Sequence, residues 1–444
     1  MNDRSNHLAT PAFAVAEPFS TTQIEAALRI LKHLLHNFPG TTTFRVTGEH
    51  LDQIEIVTPK FTLLLHDLSV LRKLVFARSP LPLADAYING LIGIDGDLYA
   101  ALGLKQYFAS FDFSLGTRLE LVRDAWRLPS KPRQLAMTPF GTGEFAHRHS
   151  RSSDQAAISF HYDVSNSFYQ LWLDKQMVYS CGYFHSLQDT LEQAQENKLD
   201  HICRKLRLKP GERFLDVGCG WGAMVCWAAR HYGVKAHGIT LSENQFEYAQ
   251  ARIQAEGLGH LVTVELRDYR DLEGENAYDK ISSVGMFEHV GLANLPVYNA
   301  TIKRVLRPGG LFLNHGITHD EEGWQRTIDT EFINRYVFPD GELDTVSNIQ
   351  RRMEQTGFEI HDVEALRPHY ALTLRQWVSR LEQRREEALQ YVGESAYRVW
   401  RLYMAACALE FEYGGTGIYQ ILASKPGGAE PAVPLTRSDI YAAS

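Results

Sequence analysis

Two hydrophobic rhythms divide the chain. Near the amino terminus, Ile24, Leu28, Leu31, Leu34 and Leu35 recur at helical spacing, and Thr21 or Thr22 can cap that helix. Strand-like pieces follow at Thr42–Val46, 54–57 and Phe61–Leu65, then a helical stretch from about Leu68. Together these predict a small α+β unit over roughly 20–115. From Glu192 the pattern becomes a regular alternation of helix and strand. The helix EQAQENKLDHICRKL stops at Pro210-Gly211, and strands are expected at 213–217, 234–239, 261–266, 279–284 and 310–314, with helices at 223–231 and 243–256 between them. Such alternation predicts a parallel sheet with helices on both faces. Two long helices at about 374–391 and 395–411 come next, and GIYQILASK reads as a final strand, antiparallel and at the edge.

The segment 118–151 breaks both rhythms. Pro129, Pro132, Pro139 and the GTG at 141–143 argue against one regular element, so it reads as a linker between units at 1–117 and 152–444. It carries Arg118, Arg123, Arg127, Lys131, Arg133, Arg148 and Arg151 against Glu120, Asp124 and Glu144. The whole chain of 444 residues is acidic, with 45 basic and 53 acidic side chains, so general nucleic-acid binding is not expected. A basic stretch on such a chain suits anionic headgroups, at roughly 1 kcal/mol per residue near a charged surface.

Composition narrows the class further. Hydrophobic residues at 44% and charged residues at 22% are those of a globular protein. The five cysteines, Cys181, Cys203, Cys219, Cys226 and Cys407, include no C-x-x-C pair, which argues against a zinc ribbon or a disulfide framework and for a reduced, cytoplasmic setting; no metal site is expected. No run of about 18 apolar residues occurs, and the opening MNDRSNHLATPAFAVAEP reads as a frayed tail, not a signal peptide.

Asp216-Val217-Gly218-Cys219-Gly220-Trp221-Gly222 is the most informative stretch. Its glycines follow a strand and precede a helix, where backbone can approach a ligand at the switch point of the sheet. A dinucleotide site would need a third glycine where Ala223 stands, and an acid at the tip of the second strand, where the chain has Thr240-Leu241-Ser242-Glu243-Asn244-Gln245. With Asp216 ahead of the glycines, the arrangement resembles the first motif of class I S-adenosylmethionine (SAM) methyltransferases, in which the glycine turn meets the amino-acid end of SAM. Asp268, in Arg267-Asp268-Tyr269-Arg270 after the third strand, can accept from an adenine amino group.

Several longer stretches make the resemblance specific. HYDVSNSFYQLWLD (161–174), YSCGYF (179–184), LDVGCGWG (215–222), GITLSENQ (238–245), DYRDL (268–272), GMFEHVG (285–291), NHGIT (314–318) and HYALTLRQW (369–377) resemble the cyclopropane-fatty-acyl-phospholipid synthase and mycolic-acid cyclopropane synthase family. The resemblance covers about 160–425 and implies a doubly wound, mostly parallel seven-stranded sheet beside the smaller α+β domain. More loosely, the first 130 residues resemble the extension of the phospholipid-acting members, which implies a substrate-presenting domain, unsaturated membrane phospholipid as substrate, and a homodimer docked on the inner face of a membrane. It further implies that Tyr179, Ser180, Asp216, Gly218, Gly220, Gly222, Thr240, Leu241, Gln245, Asp268 and Tyr269 contact SAM. Cys181, Glu288, His315 and Tyr370, with the main chain at Ile317, are implied to hold a bicarbonate ion that removes a proton; His289 is set on adenine or in a structural role.

The implied reaction explains these residue types. A cis alkene is a poor nucleophile toward a sulfonium methyl, attack leaves a carbocation, and the new methyl must lose a proton as a cyclopropane closes. Alignment can supply ~7–11 kcal/mol, and aromatic rings facing a desolvated cation add ~2 kcal/mol each. Phe160, Tyr162, Phe168, Tyr169, Trp172, Tyr179 and Tyr183 are dense enough to line an acyl tunnel, or equally to form an aromatic core helix. The chain departs from the family's usual H-T-I-G after strand five with His315-Gly316-Ile317-Thr318, and the glycine is expected to loosen the anion pocket. Rival outcomes are a methyl-branched or methylene product without ring closure, a lipid carrier with a vestigial fold, and methylation of a soluble metabolite.

Overall fold

In the computed structural model, helix α1 (Thr21–Leu35) is capped by Ser20, one residue before the expected Thr21. The Ser20 hydroxyl accepts from the Gln23 N–H at 3.3 Å, and the Gln23 side chain accepts from the Ser20 N–H at 3.1 Å, a reciprocal cap. The structure describes residues 19–35, 42–46, 60–77, 80–109, 113–132, 165–323, 328–338, 341–427 and 431–441. The chain divides into two units, Met1–Pro139 and Phe140–Ser444.

In the first unit, α1 buries Ala26, Ala27, Ile30, Leu31 and Leu34. Strand β1 (Thr42–Val46) lies parallel to β2 (Phe61–Leu65), and β3 (Ile92–Gly96) runs antiparallel to β2. Helices α2 (Ser69–Ala77), α3 (Leu81–Ile88) and α4 (Leu98–Ala109) complete the α+β layer, while the strand expected at 54–57 lies outside the described residues. The expected linker differs from its reading: its first part is helix α5 (Leu115–Arg127), capped by the Ser114 hydroxyl. The reason is that Leu121, Asp124 and Ala125 share one face and are buried. Asp124 accepts from Arg29 Nε at 2.9 Å and Arg127 Nη1 at 2.9 Å, so two basic groups are internally paired. Pro129 and Pro132 follow the helix; Arg133, Arg148 and Arg151 lie outside the described residues.

The second unit opens with the short helix α6 (Asn166–Gln170) and α7 (Leu191–Leu206), which Thr190 and Gln193 start with a capping box. Then come β4 (Arg213–Val217), α8 (Ala223–Tyr232), β5 (Lys235–Thr240), α9 (Glu243–Ala255), β6 (Val262–Leu266), β7 (Tyr278–Val284), α10 (Leu295–Val305) and β8 (Leu306–His319). The central strands β4 and β8 carry buried apolar residues in both phases, as a sheet covered on both faces requires, while β6 alternates, with Thr263 exposed. Phe214, Leu311 and Leu313 pack on one face; Leu215, Val217 and Phe312 pack on the other.

Beyond β8 lie α11 (Ile328–Tyr336), α12 (Val346–Thr356), β9 (Glu359–Ala365), α13 (Arg367–Gln383), α14 (Arg385–Tyr413), β10 (Thr416–Ser424) and α15 (Ser438–Tyr441). The seven strands are ordered β6-β5-β4-β7-β8-β10-β9, a doubly wound, mostly parallel sheet. Contrary to expectation β10 is not the edge: it is antiparallel to β8 on one side and to β9 on the other. The first long helix ends at Gln383, earlier than the pattern suggested, and α14 breaks at Gly393, where φ is 68° and ψ is 169°. Among the described residues no helix is long and apolar enough to cross a membrane.

Helix α7 carries a line of buried polar residues, Gln195, Lys198, His201 and Lys205, on its packed side. The last two grip the edge strand: Lys205 Nζ lies 2.5 Å from Glu364 Oε2 and 3.3 Å from Asp362 Oδ2, and His201 Nε2 lies 2.7 Å from Glu364 Oε2. Burial alone would raise the Glu364 carboxyl, but the bonds from His201 and Lys205 outweigh it and hold it at about 2. Because it ionises more readily folded than unfolded, its stabilisation is complete above the ordinary value and is lost as pH falls. Glu364→Gln therefore lowers the urea midpoint at neutral pH, and the gap to wild type closes as pH falls from 4.5 toward 2. Lys205→Met, which removes the buried cation shared by the half-buried Asp362 and Glu364 but leaves Glu364 its His201 and Tyr183 partners, costs about 1–3 kcal/mol in the same measurement.

Candidate active site

Two cavities open at the carboxyl ends of the parallel strands. The first, of about 150 Å³, is bounded by Asp216, Gly218, Gly220, Thr240, Leu241, Gln245 and Tyr269, with Tyr179 and Ser180 from the segment before α7. The glycine turn hooks onto β5, since the Gly218 and Cys219 N–H groups both donate to Ile239 O, at 3.0 and 2.9 Å. Gly218 and Gly220 have φ of 81° and 53°. A Cβ at Gly218 would press on Met286, and one at Gly220 would stand in open space at the cavity. Asp216 accepts from Ser282 Oγ at 2.5 Å, and burial lifts its carboxyl to about 6. Thr240 Oγ1 donates to Gln245 Oε1 at 2.9 Å.

Two residues expected on the cofactor stand elsewhere. Gly222 is not in the wall: it caps α8, and a Cβ there would press on Ala249. The Asp268 carboxylate caps the turn at Tyr269–Asp271 and accepts from Arg270 Nη2 at 2.6 Å, so its oxygens are engaged locally. Arg270 and His289 reach the wall instead.

The second cavity, of about 290 Å³, shares Tyr179, Ser180, Gly285 and His289 with the first. Cys181, Glu288, His315, Ile317 and Tyr370 all line it. β8 and β10 set its polar end, because His315 and Gln420 are paired in register and both fully buried. The Gln420 amide nitrogen faces His315 Nδ1 at 3.3 Å. That donation makes Nδ1 the acceptor and leaves the proton on Nε2. Burial, with Lys198 and Lys205 nearby, keeps the ring well below its ordinary pKa and neutral. Glu288 is pushed up to about 7 by burial, against the pull of the Ile317 N–H. Among the described residues Glu288 Oε2 and His315 Nε2 have no hydrogen-bond partner.

Two implied anion ligands are committed elsewhere. The Ile317 N–H donates to Glu288 Oε1 at 2.8 Å. The Cys181 thiol faces Leu366 O at 3.8 Å, and burial raises its pKa, so it stays protonated. Nor does Gly316 loosen the pocket, since the Phe287 ring occupies the place its side chain would take.

The expected tunnel aromatics are also redistributed. Phe168, Tyr169 and Trp172 are fully buried and pack with Trp377 and Trp400 into a core behind Tyr179. Tyr183 stacks on His369 at 4.9 Å and donates to Glu364 Oε1 at 3.1 Å, away from both cavities. Phe160 and Tyr162 lie outside the described residues. The second cavity takes its aromatic wall from later elements, as Phe332, Phe338, Tyr403 and Phe411. Sequence reading placed helix α7 but missed its part in the site: Lys198 Nζ donates to Ser180 Oγ at 2.9 Å and Gln195 Nε2 to Ser180 O at 2.8 Å. Burial lowers Lys198 to about 8. The available signal was polar residues three apart among the apolar positions of that helix.

This sheet and glycine turn define a class I SAM-dependent methyltransferase. Residues 149–421 match the family described as mycolic acid cyclopropane synthetase, and the chain belongs to it. A probable fatty acid methyltransferase of Pseudomonas putida is 50% identical over 296 residues, 66% of this chain and 75% of that protein. The cyclopropane-fatty-acyl-phospholipid synthase of Escherichia coli K12 is 39% identical over 280 residues, 62% of this chain and 69% of that one. The crystal structure of mycolic acid cyclopropane synthase CmaA1, complexed with SAH and CTAB, superposes with a TM-score of 0.58 at 32% identity, covering 61% of this chain and 98% of that one.

A side chain at Gly220 adds backbone strain and projects toward the cofactor cavity. Gly220→Val is expected to weaken SAM binding at least ~100-fold in calorimetric titration, equivalent to about 2.8 kcal/mol, with an unchanged circular dichroism spectrum.

Proposed function

We propose that this enzyme transfers a one-carbon unit from SAM to the cis double bond of an unsaturated acyl chain in membrane phospholipid and closes a cyclopropane ring. The observation that carries this reading is the second cavity: it adjoins the SAM cavity at Tyr179 and Ser180 and ends on two buried polar atoms without a partner among the described residues. The clamp of Lys198 and Gln195 on Ser180 fixes the shared wall, which aligns donor and alkene. As the alkene carbon bonds to the methyl, the S–CH3 pair goes to sulfur, giving S-adenosylhomocysteine. Tyr370, Phe411, Tyr403 and Phe338 exclude water and offer ring faces to the positive charge left on the other carbon. The methyl then gives up a proton toward the end lined by Glu288 Oε2, and the C–H pair closes the ring.

A small oxyanion with one acidic hydrogen fits that end, since His315 Nε2–H can donate and Glu288 Oε2 can accept. Bicarbonate held by His315, Glu288 and Tyr370 would supply a mobile base there; Cys181 and Ile317 would support it indirectly, through Leu366 and Glu288. A second reading, loss of a different proton to give a methyl-branched or methylene product, is favoured by the name of the 50% identical relative, probable fatty acid methyltransferase.

Incubation with SAM and dioleoyl phospholipid vesicles, followed by proton NMR of the released fatty acids, tests the proposal. Upfield ring-methylene resonances are expected, and vinylidene or branched-methyl signals alone establish the second reading. Glu288→Gln and Tyr370→Phe should each lower turnover ~100-fold with SAM affinity within about twofold of wild type, and unaltered turnover in both variants removes the polar end from the mechanism. In wild type, turnover should rise through pH about 7 as Glu288 ionises; that rise should vanish in Glu288→Gln.

A further inference from the structure

Helix α5 already has a buried side, yet it carries a second apolar stripe facing out. Leu115, Leu119, Val122 and Trp126 recur at i, i+4, i+7 and i+11, and they are 77%, 66%, 37% and 66% exposed. An outward stripe of this size on a charged helix is the mark of an interaction surface. Phe76 of α2, also exposed, extends it. The indole is held in place: its ring meets Phe76 edge to face at 5.9 Å, and the Arg72 guanidinium sits 4.7 Å above it. Arg72 is itself anchored, donating to Leu128 O at 2.9 Å.

The charge around the stripe selects the partner. Arg118 and Arg123 flank it, with Lys73 exposed on α2. Of the acids on α5, Asp124 is buried and shared among three cations, bound to Arg29 and Arg127 and 3.5 Å from the exposed Arg123, and Glu120 lies 3.2 Å from His33. The rim is thus basic on a chain of net charge −8. A second copy seated on this face would bring the same arginine flanks together, whereas an anionic leaflet offers hydrocarbon to the stripe and phosphates to the rim.

We propose that α5 is a bilayer-docking helix, with Leu115, Leu119, Val122, Trp126 and Phe76 entering the acyl region of an anionic leaflet and Arg118 and Arg123 engaging its phosphates. This rests on the reading that the substrate is membrane phospholipid, but it is tested separately. The full chain is co-sedimented with vesicles of dioleoyl phosphatidylcholine containing dioleoyl phosphatidylglycerol, and its fluorescence is recorded on vesicles with brominated acyl chains. Leu119→Glu should reduce partitioning ~10-fold while turnover on detergent-dispersed unsaturated phospholipid stays at the wild-type level. Trp126→Phe should keep the partitioning but lose most of the bromine quenching. Unchanged partitioning in Leu119→Glu, unchanged quenching in Trp126→Phe, or a changed oligomeric state with wild-type partitioning overturns the proposal. A wild-type chain that binds vesicles but modifies no acyl chain, even in detergent, sinks the reading of function and leaves the docking helix standing. One that turns over detergent-dispersed lipid but ignores vesicles does the reverse.

Discussion

Removal of water governs this site. A carbocation on an alkyl chain survives only where no water can reach it, and the same dryness penalises every charged group nearby. The consequences run through the catalytic unit in one direction. Lys198 falls to about 8, Asp216 rises to about 6 and Glu288 to about 7, all chiefly through burial. His315 is driven to its neutral form by the same cause. The groups around the two cavities are therefore poised close to neutrality, which suits a reaction that starts from a sulfonium and must release one proton.

Helix α7 is where that constraint is reconciled with stability. Its buried polar line does two jobs in sequence order. Gln195 and Lys198 hold Ser180 in the shared wall, while His201 and Lys205 hold the carboxylates of β9 at the edge of the sheet. Each of these four side chains thus has a partner of matching chemistry, as burial demands. Position along one helix couples the geometry of the reaction chamber to the integrity of the sheet.

The parallel core was legible because short strand-like runs alternate with helices that are capped and stopped by recognisable residues. Strand β9 was not, since EIHDVEA mixes acids with apolar residues at a half-covered edge and shows no clean alternation. The placement of β10 inside the sheet depends on β9 and was hidden with it. The glycine turn named the cofactor because a glycine pattern with its strand and helix is local. The polar end of the second cavity was found through resemblance, but its wiring was not. Whether the Ile317 N–H meets an anion or Glu288, and that Gln420 backs His315, are decided by contacts across 29 and 105 positions. The aromatic run at 168–172 failed as a tunnel for a similar reason: period and composition do not say on which side of Tyr179 the rings fall.

The Phe287 ring lodged against Gly316 ties two positions into one packing unit. His315 and Ile317 face the cavity on β8, so residue 316 between them points to the opposite side of the sheet, where the ring lies. A side chain at 316 would overlap the Phe287 ring as it lies here, and shrinking 287 would open a void under the strand that carries His315. Bulk added at one of these positions must therefore be matched by room made at the other.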